Sequence, residues 1–214
     1  MKKLLFSVAI IFAATGTSFA QDGGGAYNKG QSTISLGYGF LSPYKTLFKL
    51  SSLYGSSSAG VTTKYSSLGP IGLTYEYGAS EKISAGVQIA YGTIKNVSTE
   101  KDGLGNGKDY ITTQKLDQLS VILRGNYHFG SSPKFDPYIG LGLGYGNFKY
   151  KTTSNDPTDN DAFFTQYYKI SVPTSFGITG QVGAKYYFSD NIGAYAELGY
   201  LAGSFAQIGV TAKF

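Results

Sequence analysis

The chain has 214 residues, with 18 Lys and Arg against 13 Asp and Glu, a formal net charge of +5 and no cysteine. Lack of cysteine excludes a disulfide framework, a thiolate metal cluster and a lipoprotein acylation site, and the scattered basic residues argue against nucleic-acid binding. Only 14% of residues are charged, whereas 19 are Tyr and 30 are Gly; soluble domains carry about 25% charged residues, so part of this surface is expected to lie out of water.

Residues 1–20, MKKLLFSVAIIFAATGTSFA, read as a secretory signal. Lys2 and Lys3 form the charged start, Leu4 to Ala14 the apolar run, and Ser18-Phe19-Ala20 the small-residue cleavage site. The run is shorter than the roughly 20 residues a spanning helix needs, so cleavage after Ala20 is expected rather than a retained anchor. Residues 21–30 are polar and Gly-rich, which predicts a flexible periplasmic leader.

From residue 31 the apolar period is two almost to the end, and eight strands are predicted. The first, about 31–40, puts Ile34, Leu36, Tyr38 and Phe40 on one face. The second, about 69–78, sets Ile71, Leu73, Tyr75 and Tyr77 against Gly72, Thr74 and Glu76. The third, 83–93, and the fourth, about 117–129, alternate in the same way, with Gln118, Ser120, Arg124, Asn126 and His128 on the polar face of the fourth. The fifth contains PYIGLGLGYG, residues 137–146: Ile139, Leu141, Leu143 and Tyr145 fill one face and Gly140, Gly142, Gly144 and Gly146 the other. The sixth (about 174–188), seventh (191–200) and eighth (204–214) carry Lys185, Glu197 and Gln207 on their small-residue faces.

Connections near 41–67, 94–116 and 150–170 are long, and those near 79–82, 130–136 and 189–190 are short and rich in turn formers. Only the link at about 201–203 breaks the alternation. Long outward loops alternating with short periplasmic turns mark an outer-membrane barrel. The second face is mostly Gly, Ser, Thr, Gln and Ala, too small and uncharged for a solvent surface but suited to the cramped lumen of eight strands. The apolar face then meets lipid. An open edge in hydrocarbon would strand backbone polar groups at several kcal/mol each, so the first strand must pair with the eighth. The expected fold is therefore an all-β, eight-stranded antiparallel up-and-down transmembrane β-barrel over residues 31–214.

Several stretches admit a sharper reading and a plainer one. PYIGLGLGYG lacks the G-x-G-x-x-G spacing and following helix of a nucleotide loop. Gly103, Gly105 and Gly107 fit a flexible turn better than a phosphate cradle. His128, the single histidine, falls next to a short turn, and no Ser-His-Asp set is evident around it, so it reads as a rim residue without a catalytic role. Asn155, Asp156, Asp159, Asn160 and Asp161 lack the glycine and distal Glu of a calcium loop and read as solvated. No catalytic, cofactor or metal residue is assigned, and Asn96-Val97-Ser98 reads as a chance sequon. Ser42-Pro43 followed by Tyr44, Leu47, Phe48 and Leu50 predicts a short helix ending near Gly55. It lies on the outer interface or folds over the barrel mouth; the residues do not choose. Glu76, Arg124, Lys185 and Glu197 all point inward, where each charge needs a partner. They are expected to form a polar lumen cluster, by simple pairing in preference to gating a narrow water path.

Strand count, PYIGLGLGYG, AYAELGYL and the terminal QIGVTAKF resemble the outer-membrane β-barrel domain family, the small eight-strand group that includes OmpA, OmpX and OmpW. The resemblance covers residues 31–214. It implies an outer-membrane location, contact with outer-membrane lipid, and an assembly signal made by Gln207, Gly209, Ala212 and Phe214 for the barrel-assembly machinery. The leading functional expectation is a non-enzymatic barrel acting in envelope structure or through its outer loops, whose ligand is not identified. The rival is a narrow channel for small or hydrophobic solutes, as similarity to OmpW suggests. A lipid-modifying barrel enzyme is disfavoured by the position of the one histidine.

Overall fold

The computed structural model describes residues 25–55, 60–101, 105, 107–130, 132–156 and 176–214. The chain forms β1 (Ser32–Phe40), α1 (Pro43–Gly55), β2 (Val61–Gly78), β3 (Ile83–Glu100), β4 (Tyr110–His128), β5 (Phe135–Ser154), β6 (Phe176–Tyr187), β7 (Ile192–Leu201) and β8 (Ser204–Lys213). All neighbours are antiparallel, and β1 closes the barrel on β8 through pairs from Thr33↔Lys213 to Phe40↔Ala206. Closure pairs the first strand with the last, as hydrocarbon requires of a spanning sheet. The expected signal, Ala20 included, lies outside the described residues.

The two faces separate as the alternation requires. Leu141 and Leu143 are 69% and 67% exposed on the outside, while Tyr138, Gly140 and Gly142 between and before them face the lumen and are buried. Each short turn is fixed by one serine: Ser80 Oγ accepts from Ile83 N (3.0 Å), Ser132 Oγ from Phe135 N (3.3 Å) and Ser189 Oγ from Ile192 N (3.1 Å). These turns, residues 25–30 and Phe214 share one end of the barrel, the periplasmic one by the rule that outer loops are the long ones.

Two boundaries differ from expectation. β2 to β5 run 18–20 residues, about twice the 9–11 that a bilayer needs. Much of the stretch expected as the loop at 94–116 is paired strand, with Ile94↔Leu116 and Lys95↔Lys115 in register. Beyond Tyr91 and Leu119 the outward face turns mostly polar, but β-prone Thr and Tyr carry the ladder further. The second difference is at the leader, expected to be flexible. Residues 25–30 are held on the periplasmic end: Ala26 N donates to Ser132 O at 2.9 Å, and Gly30 N to Gly78 O at 2.7 Å. Low hydrophobicity concealed these backbone anchors.

Candidate functional site

The lumen is built in layers from inward residues of successive strands. At the periplasmic end, the Tyr27 ring stacks on His128, with centroids 3.7 Å apart and planes 6° from parallel. Tyr27 Oη donates to Ser80 O at 2.9 Å, and Lys213 Nζ donates to Gly25 O at 2.9 Å. Burial, together with nearby Glu76 and Asp136, pushes the Tyr27 phenol up, which keeps the donor proton in place. The leader thus caps the opening.

Beneath the cap, His128 Nδ1 lies 2.7 Å from Asp136 Oδ1 and Nε2 lies 2.9 Å from Ser84 Oγ. His128 ends β4 at the rim as expected, but it is 1% exposed and turned into the lumen, and a Ser-His-Asp chain does exist around it. The sequence concealed this because Ser84 and Asp136 sit on other strands, and only the register joins them. Ser84 is fully buried, and the Tyr27 ring covers the imidazole. The chain therefore functions as a polar tie between β3, β4 and β5.

The next layer holds the four inward charges. Lys185 Nζ pairs with Glu76 Oε1 at 2.5 Å, and Asn126 Nδ2 donates to the other oxygen of Glu76. Arg124 grips Glu197 with both terminal amines, and Tyr138 Oη donates to Glu197 Oε1 at 2.7 Å. Gln181 Nε2 donates to Asn126 Oδ1 at 2.9 Å and extends the network around Glu76. All four charged residues are buried, and each charge faces an opposite one, the condition under which burial is tolerated. Glycines make the room: a Cβ on Gly183 would stand 2.8 Å from Tyr138 Cζ and Glu197 Cγ, and one on Gly140 2.5 Å from Gln181 Nε2. Above lies a glutamine layer, with Gln88 Nε2 donating to Gln207 Oε1 (3.0 Å) and Gln207 Nε2 to Tyr195 Oη (2.8 Å).

Toward the outside the lumen turns apolar. Ala90, Ile122 and Ala202 form one cluster, and Phe48 of α1 packs on Ile94 and Leu116. Asn96 Nδ2 donates to Phe48 O at 3.1 Å, so α1 folds over the mouth and Asn96 points inward. Between these clusters and β6 lies a cavity of about 180 Å³. Its lining joins lumen residues Ser120, Ile122 and Thr179 to lipid-facing Tyr145, Phe176 and Ile178. The last β6–β7 pair is Gln181↔Gly199, so Phe176–Gly180 stand beyond the β7 ladder on that side. Here the lining of the cavity reaches the lipid-facing surface.

The model for the OmpW family matches residues 28–203, most of the chain, leaving out Tyr27 and Lys213 of the cap and Gln207 of the glutamine layer. The chain belongs to the OmpW family. It is 34% identical over 117 residues to outer membrane protein W of Salmonella typhi, a match covering 54% of this chain and 49% of that protein, so it spans about half the relative's length. Among solved structures it is similar to OprG of Pseudomonas aeruginosa (17% identity, TM-score 0.49, covering 90% of this chain and 99% of that one). It is also similar to Ail of Yersinia pestis (12% identity, TM-score 0.39, covering 87% and 99%). As an OmpW-family protein the chain is an integral, non-enzymatic barrel of the outer membrane, and its apolar belt contacts membrane lipid.

The remaining sequence-derived residues of this OmpW-family chain fall in known places. Gln207 is buried in the glutamine layer, Gly209 pairs with Gly37, Ala212 with Ile34, and Phe214 N donates to Ser32 O at 2.9 Å. Gln207, Gly209 and Ala212 thus sit in the closing seam, and Phe214 ends it. Asn155 clamps the outer end of the β4–β5 hairpin, with Oδ1 accepting from Ile111 N at 2.6 Å. Asp159, Asn160, Asp161 and Gly103 lie outside the described residues. Sequence reasoning missed Tyr27, Ser84, Asp136 and Tyr138 as members of the lumen network; the inward parity of the last three was the available signal.

Proposed function

We propose that this barrel is a narrow channel through which small hydrophobic solutes pass from outside into the outer membrane, leaving sideways between β6 and β7. The observation that carries this reading is the cavity of about 180 Å³ whose lining spans lumen and lipid faces. A protein cavity of about 150 Å³ accommodates benzene, so a single aromatic ring is the size of solute that fits. Below the cavity the buried ion pairs and glutamine layer oppose an apolar solute, because separating them strands buried polar groups. The easier exit is lateral. Membership of the OmpW family, which implies passage of small hydrophobic solutes, supports the same direction.

This ranks the channel ahead of the inert envelope barrel that the residues alone place first. Period-two alternation assigns faces but carries no information about where the wall opens. Within the same proposal, residues 1–20 are a cleaved export signal, and Gln207, Gly209, Ala212 and Phe214 guide recognition by the barrel-assembly machinery. Measuring toluene uptake by cells with and without the folded protein tests the channel. Faster uptake with the barrel is expected; equal uptake contradicts it and leaves an envelope or loop-mediated role.

A further inference from the structure

Across β3, β4 and β5 the register sets three lysines side by side: Lys95 opposite Lys115, and Lys115 opposite Lys151. All three share the outward parity of Tyr91, Leu119 and Tyr145, while the intervening Ile94, Leu116 and Tyr150 turn toward the vestibule. Lys149 lies one outward step lower on β5 and Lys64 one step higher on β2, both exposed. Facing side chains on adjacent strands have Cβ atoms about 4.5–5.5 Å apart, and like charges placed so are destabilising. The patch contains one carboxylate, Asp117, which pairs with Lys115 at 2.7 Å and accepts from Tyr91 Oη at 3.0 Å. Lys64, Lys95, Lys149 and Lys151 make no ion pair among the described residues. An unneutralised row of this kind fits a polyanionic partner.

We propose that Lys64, Lys95, Lys115, Lys149 and Lys151 form a docking surface for the phosphorylated headgroup of an outer-leaflet lipid. Height selects the lipid. The continuous outward apolar run of β4 ends at Leu119, with Ile111 alone beyond it; at about 3.3 Å per residue on a strand tilted about 40°, Lys149 lies roughly 5 Å, the Lys95, Lys115 and Lys151 row roughly 10 Å and Lys64 roughly 15 Å above the belt. Headgroups fill about 5–8 Å on each side of the roughly 30 Å core, and long lysine side chains from strands just above that layer reach down to it. A phosphate there replaces repulsion between neighbouring ammonium groups with charge-assisted hydrogen bonds.

The test is retention of lipid A by the full-length barrel through detergent exchange, quantified by mass spectrometry at low and high salt. A Lys95→Gln/Lys115→Gln/Lys151→Gln protein is compared with Lys82→Gln/Lys134→Gln, which alters the periplasmic turns. A lysine near an anionic surface contributes about 1 kcal/mol, a factor of about five, so the triple variant is expected to retain about a hundredfold less lipid A. The turn variant retains the unaltered amount, and high salt weakens retention by the unaltered chain. Equal retention by a triple variant that still migrates as a folded barrel overturns the proposal. If that variant does not fold, Lys115→Gln and the salt series decide, and retention insensitive to both overturns it. Lysine-dependent binding of sulfated dextran without lipid A retention assigns the patch to a soluble polyanion and likewise overturns it.

Discussion

Arg124 on β4 and Glu197 on β7 meet across the barrel lumen, joined by two hydrogen bonds between residues 73 apart in sequence. The pair is buried and Tyr138 completes the carboxylate's coordination. Removing one member strands the other. Glu197→Ala is expected to lower stability by about 3–5 kcal/mol, and Arg124→Met/Glu197→Met to recover much of the loss. Urea unfolding in detergent micelles measures both. Single and double variants of equal stability would mean that the pairing contributes nothing.

The Tyr27 ring is the lid over His128. Tyr27→Ala is expected to cost about 1 kcal/mol of stacking and to expose the imidazole. Carbethoxylation of His128, the single histidine, reads this directly. The modification is expected to be slow in the unaltered protein and markedly faster in Tyr27→Ala. Equal rates would show that the leader does not seal the end.

Gly142 in the lumen and Gly125 on the wall differ in what they tolerate. A Cβ on Gly142 would sit 2.6 Å from Thr179 Oγ1 and 2.7 Å from Leu123 O, whereas the nearest atom to one on outward Gly125 is 3.7 Å away. Gly142→Phe is expected to abolish the compact, heat-modifiable gel band, and Gly125→Phe to preserve it. The two variants behaving alike would refute the assignment of faces.

Phe48 pins α1 into the mouth by packing on Ile94 and Leu116. Phe48→Ala removes a buried ring, a change that costs about 3–5 kcal/mol where a core depends on it. Here the loss falls on the docking of one helix, so limited proteolysis near α1 should accelerate while the barrel band persists. Unchanged cleavage would mean that α1 is held elsewhere.

Strand faces were legible because a period of two assigns every residue a side; parity alone turned Glu76, Arg124, Lys185 and Glu197 inward. Partners were not legible. Lys185 finds Glu76 at a separation of 109 residues, and His128 finds Ser84 and Asp136, because of stagger around a closed barrel. That stagger is a property of closure, not of any one strand. Strand ends were misjudged for a related reason: Lys95, Lys115 and Lys151 are too polar to signal membrane strand, yet they belong to the same ladder in water. The vestibule was hidden because Ile122 and Phe148 are apolar residues on an otherwise polar face, and their meaning depends on α1 above them.

The channel reading is tested most directly at Gly177. An added Cβ there meets no atom within 4 Å, and the residue lines the cavity, so Gly177→Phe fills the passage without straining the wall. Toluene uptake and ion conductance are measured on the same proteoliposomes. The expected result is toluene uptake without steady ion conductance in the unaltered barrel, and loss of that uptake in a folded Gly177→Phe protein. Uptake undiminished by the filled cavity, or ion conductance without toluene uptake, would contradict the account.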